Sequence, residues 1–97
     1  MPTYVTLINW TQKGVENVKD SPKRLDAAKK LFKSEGAEIK AFYLVMGQYD
    51  IVVVSEAPND ETASRIALAL GTRGAVRTQT FRAYTEKEYR KLIASVR

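Results

Sequence analysis

The residues best suited to chemistry gather around Gly47-Gln48-Tyr49-Asp50, a segment that runs directly into Ile51-Val52-Val53-Val54. Aspartate is depleted in strands, so a carboxylate opening an apolar run needs a partner. Arg82, or a basic residue from another subunit, would serve. Held in apolar surroundings with a raised pKa, Asp50 could act as a general base. Closing a hairpin or a salt bridge between subunits would explain the same residue without any reaction. Trp10, Tyr43, Tyr49 and Tyr84 could line an aromatic pocket for a small hydrophobic ligand, with Asn9, Asp50 and Arg82 as its few polar groups. Core and interface packing is the competing use of these aromatic side chains.

The rest of the catalytic menu is short. The 97 residues contain no histidine and no cysteine. That removes the commonest general base, the commonest metal ligand and every Ser-His or Cys-His pair. We therefore expect no metal and no cofactor, and no residue is singled out as catalytic. Gly71-Thr72-Arg73-Gly74 follows a helix instead of opening one and lacks a Gly-Lys-Ser/Thr ending, so it reads as a helix stop and a turn, not a phosphate cradle.

The elements that must position these residues follow from periodicity. Tyr4 to Trp10 is β-branched and aromatic, a first strand. After an irregular stretch through Gly14, Ser21-Pro22 opens a helix to about Glu35, with Gly36 as its stop. Ile39 to Met46 and Tyr49 to Ser55 are strands joined by Gly47-Gln48 in a type II′ turn. That register sets Met46 opposite Tyr49, Val45 opposite Asp50, Leu44 opposite Ile51 and Tyr43 opposite Val52. Pro58-Asn59-Asp60 opens a second helix closed by Gly71, and Val76 to Tyr84 is a polar strand suited to a sheet edge. Thr85 and Glu88 form a capping box for a last helix bearing Tyr89, Leu92, Ile93 and Val96 on one face. The order is α+β, a ferredoxin-like βαββαβ pattern with an added C-terminal helix, and residues 1–97 read as a single domain.

Two helices can cover only one face of a four-stranded sheet, and the other should be polar if it met water. Under the hairpin register Phe42, Leu44, Met46, Ile51 and Val53 share one face. Ile39, Ala41, Tyr43, Val45, Val52 and Val54 share the other. The first strand adds Val5 and Leu7 to one side and Tyr4, Ile8 and Trp10 to the opposite side. Both faces are apolar, so a second copy packed sheet to sheet is expected to cover one of them. The competing arrangement folds the C-terminal helix back over that face.

At this point the chain resembles the GYD-domain family, small proteins of largely uncharacterised function placed among the dimeric α/β barrels. The resemblance rests on Gly47, Tyr49 and Asp50 preceded by Phe42-Tyr43, and on Lys19-Asp20-Ser21-Pro22-Lys23-Arg24. It also rests on Glu56-Ala57-Pro58 and on Ala67-Leu68-Ala69-Leu70-Gly71 leading to Val76-Arg77-Thr78. It spans about residues 3 to 86 and implies a sheet-to-sheet dimeric α/β barrel, with no established reaction.

The net charge is +5. Its basic residues fall largely on helix surfaces, and the third strand offers valines and an acid where an RNA-binding sheet carries stacking aromatics. Nucleic acid is not an expected partner. The start, Met1-Pro2-Thr3-Tyr4, shows no signal-peptide pattern and no run is long enough to span a membrane, so a cytoplasmic, bacterial-type protein is expected. The function expected is a small-molecule-binding or structural and regulatory module that assembles with itself. The alternative is a cofactor-free enzyme, oxygenase- or isomerase-like, acting on a small aromatic or carbonyl compound.

Overall fold

The computed structural model describes all 97 residues, Met1–Arg97. The chain forms β1 (Thr3–Trp10), a short α1 (Gln12–Glu16), one 3-10 turn (Val18–Asp20), α2 (Ser21–Ser34), β2 (Glu38–Leu44) and β3 (Ile51–Glu56). α3 (Asp60–Thr72), β4 (Val76–Ala83) and α4 (Glu86–Ala94) complete it. The sheet order is β2-β3-β1-β4 and every neighbouring pair is antiparallel, which is the ferredoxin-like arrangement. β4 occupies an edge, as its polar sequence predicts.

Local chemistry fixes the helix ends. Asn59 caps α3 by accepting from the Thr62 main-chain N–H at 2.8 Å. Thr85 and Glu88 form the reciprocal capping box expected for α4, which satisfies two N–H groups left over at a helix start. The Thr85 main-chain hydrogen bond, first among the influences on it, holds the Glu88 carboxyl below the usual carboxylate range. Gly36 ends α2 with φ of +73°, a conformation that costs glycine little. Gly71 does not close α3. The helix continues through Thr72, and Gly74, with φ of +80°, makes the left-handed turn instead.

Two further details depart from the sequence reading. The strands of the hairpin stop at Leu44 and resume at Ile51, so Met46 and Tyr49 lie outside the ladder although Val45 N–H still donates to Asp50 O at 2.9 Å. Leu44 opposite Ile51 and Tyr43 opposite Val52 stand as expected. A β-bulge between Ile39 and Ala41 adds a residue at Lys40. Simple alternation therefore fails there, and Ile39 sits with Phe42 and Val53 on the helix side instead of with Tyr43.

On that covered side, Tyr4, Phe32, Ala37, Ala57 and Ile66 form one cluster, joined by Leu31, Ala63 and Leu70 from the helices. Ile8, Ile51 and Val53 form a second, with Trp10, Phe42 and Val76 against it. The molecule is a thin slab of 51 × 31 × 17 Å, and only 13 residues are buried. One sheet and one helix layer account for that thickness, which leaves the far side of the sheet bare. α4 does not fold back over it. It packs substantially on no other element, and Tyr89, Leu92, Ile93 and Val96 remain 47% to 71% exposed.

Candidate functional site

The GYD segment sits where β3 begins beside the end of β1. Asp50 N–H donates to Ile8 O at 2.9 Å, and Asp50 Oδ2 accepts from Trp10 N–H at 2.9 Å. The carboxylate thus takes the place of a main-chain carbonyl at the end of the ladder and satisfies a strand N–H that would otherwise lack a partner. Arg82 is not its partner, because the β1–β4 register pairs Arg82 with Tyr4 at the far end of the sheet. Six residues of strand separate the two positions, about 20 Å at the usual rise. Tyr49 leaves the loop in another direction, and its hydroxyl donates to Gln79 Oε1 on β4 at 2.8 Å.

At the other end of the sheet, Tyr4 is 3% exposed and its hydroxyl donates to Asp60 Oδ1 at 2.5 Å. Burial, reinforced by that hydrogen bond and the Asp60 charge, pushes the Tyr4 hydroxyl up to about 12. The Arg82 guanidinium lies 5.8 Å from the Tyr4 ring centre and 4.5 Å from that of Tyr84, a cation–π arrangement at the chain's exit from β4. It also donates to the carbonyls of Thr3 and Ala83. The seven residues singled out in the sequence therefore do not meet in one pocket. Arg82 and Tyr84 hold one end of the sheet, Asp50, Trp10 and Asn9 the other, and Tyr43 faces outward from β2.

The bare face is built from directly opposed residues of all four strands. Tyr43, Val52, Leu7 and Gln79 form one row, and Ala41, Val54, Val5 and Phe81 the next. Tyr43 is 60% and Phe81 50% exposed. The row of Asn9 and Arg77, with the Tyr49–Gln79 bond beside it, gives this face a polar border. Its centre is aliphatic and aromatic.

The covered face holds a partly open cavity of about 250 Å³ between α2 and the sheet. Its walls are mainly apolar, with Ile8, Leu25, Ala28, Phe42 and Val53 among them. Of the seven sequence candidates only Trp10 lines it, and the Trp10 indole N–H is buried without a hydrogen-bond partner. Ser21, Arg24 and Arg73 supply polar groups at the cavity wall. Arg24 donates to Asn17 O at 2.9 Å and to Gly14 O at 3.2 Å, which ties α2 to the segment before it. Gly14 in turn is pressed against the sheet end. A Cβ there would lie 2.1 Å from Ala75 O and 3.2 Å from Trp10 Cβ. The sequence alone marks this stretch as irregular and places the basic residues largely on helix surfaces. The missed signal was the spacing of Ser21, Arg24, Leu25, Ala28 and Phe32, which places an arginine on the inward stripe of α2.

Comparison with known proteins fits this architecture. A curated Thermus thermophilus protein named "Glutamine synthetase and cystathionine beta-lyase binding protein" is 37% identical over 84 residues, spanning 86% of this chain and 88% of its own length. Among solved structures, FFRP-DM1 superposes with a TM-score of 0.58 at 21% identity, over 87% of this chain and all of its own. The leucine response regulatory protein of Mycobacterium tuberculosis gives 0.57 at 15% identity over 87% of this chain, which spans 51% of that protein. At these identities the two structures support the fold alone. No helix here is long and apolar enough to cross a membrane. The family model described as "GYD domain" matches residues 4–93, and the chain belongs to that family.

Proposed function

We propose that this chain is a non-catalytic binding module that works as a homodimer joined through its bare sheet faces and that docks metabolic enzymes as protein partners. One observation carries the reading: the face of Val5, Leu7, Val52, Val54, Tyr43 and Phe81 is apolar and no element of the chain covers it. Four strands of six to eight residues present roughly 450 Å² of sheet. A stable dimer needs about 800 Å² per partner. The exposed stripe of α4, extended as an arm, supports closing that difference by gripping the second copy. A two-fold axis through the sheet face satisfies both copies with one patch. The enzyme-docking part of the reading rests on the name of the Thermus relative. We further take the chain to be one domain of a cytoplasmic, bacterial protein.

Light scattering tests the dimer. Twice the 10.9 kDa chain mass is expected at micromolar concentration, and the single-chain mass would refute it. Biolayer interferometry against purified glutamine synthetase and cystathionine β-lyase tests the docking. Saturable binding to one of them is expected, and binding to neither overturns that part.

A further inference from the structure

We infer that the cavity between α2 and the sheet is a binding site for a compact apolar carboxylate, whose anionic head meets Trp10, Arg24 and Arg73 while its apolar body fills the space over Ile8, Leu25 and Phe42. This site lies on the opposite side of the sheet from the proposed dimer face and does not depend on it.

Size sets the first limit. An apolar cavity of about 150 Å³ accepts benzene, with its six heavy atoms. In proportion, the 250 Å³ found here holds about ten heavy atoms, the size of octanoate or a substituted benzoate. The largely apolar walls favour a hydrocarbon body.

Polarity sets the second limit. The Trp10 indole can only donate, and its buried N–H has no acceptor within the protein. Such a group is costly to leave unpaired, and a small turn of the indole toward the cavity would let an occupant's oxygen accept from it. The charge of the lining argues that this oxygen is anionic. Arg24 and Arg73 are the ionisable residues of the cavity wall, and neither belongs to any of the four ion pairs of the molecule. Arg24 bonds only to two carbonyls, so its positive charge has no counter-ion. The main-chain positions of these groups lie close together. Gly14, whose carbonyl holds Arg24, lies against Trp10 and Ala75, and Arg73 is two residues before Ala75. The head of the ligand therefore has a defined end of the cavity to occupy.

Trp10 is the sole tryptophan, so its emission reports on the site directly. The purified chain is titrated with octanoate and, in parallel, with 1-octanol, which keeps the hydrocarbon and removes the charge. Octanoate is expected to shift the emission saturably, with one site per chain, and to bind about tenfold more tightly than octanol, the worth of one charge-assisted hydrogen bond. Calorimetry on Arg73→Gln and Trp10→Phe should show octanoate weakened to the level of octanol. Ala28→Phe fills the cavity from α2 and should abolish binding while melting at or above the parent. Octanoate that does not bind saturably, that binds no better than octanol, or that binds equally to Ala28→Phe overturns the proposal. A failed dimer measurement leaves each of these outcomes as diagnostic as before.

Discussion

Both faces of this sheet are apolar at their centres, yet they have opposite fates. The inner face, with Tyr4, Ile8, Ile51 and Val53, is covered by α2 and α3 and still keeps a partly open cavity. The outer face, with Val5, Leu7, Val52 and Val54, has nothing of its own chain over it. The difference teaches that apolar alternation on both sides of a strand states only that both must be covered. What covers each side is decided by connectivity. The crossovers through α2 and α3 return to one side, and α4 makes no substantial packing contact on the other.

The inner face should be the more fragile of the two. Gly14→Ala places a methyl group 2.1 Å from a main-chain carbonyl, where neither side can retreat without moving the start of β4. A loss of about 3 kcal/mol is expected in denaturant unfolding, at the upper end for overpacking. A loss under about 0.5 kcal/mol would mean that α1 is a loose flap and not a seat. The outer face should fail differently. Val54→Asp puts a charge at its centre, so the scattering mass should fall to that of one chain while the monomer keeps its far-ultraviolet circular dichroism. Retention of a doubled mass would move the proposed interface elsewhere.

Tyr4 offers a test of the inner face by pH. Its hydroxyl is raised from 10.0 to about 12 in the folded chain. A group with a raised folded pKa stabilises fully below its unfolded pKa and loses that contribution as pH rises through the folded one. Stability should therefore fall between pH 10 and 12 by on the order of 2 kcal/mol more in the parent than in Tyr4→Phe. Parallel slopes would show that the hydroxyl is not sealed in.

The smallest effect belongs to the margin where the faces meet. Asp50→Ala removes the acceptor of Trp10 N–H, which should cost about 1–2 kcal/mol. Asp50→Asn keeps an acceptor oxygen and should lose less than half of that. Equal losses for both would point to the charge itself.

Much of this was legible from the chain. Strand pairs such as Leu44 with Ile51, the Thr85–Glu88 capping box and the edge position of β4 depend on neighbours in sequence, and local chemistry dictates them. The bulge at Lys40 was hidden because no glycine marks it, so alternation assigned Ile39 to the wrong side. Asp50 was mispaired with Arg82 because composition supplies a charge partner but not a register, and a main-chain N–H has no letter in the sequence. The role of Gly14 was invisible for a related reason. Its reason for being glycine lies in Ala75, more than half the chain away.

Asp50 has one more consequence. By standing in for a main-chain carbonyl it finishes the β1 ladder without help from the residues between Val45 and Tyr49. That tip, with Met46 97% exposed and Gly47 at φ of +118°, is uncoupled from the ladder it joins. For the engineer, the side chain of Met46 is therefore a natural point to attach a label, whereas Gly47 beside it must keep its left-handed backbone.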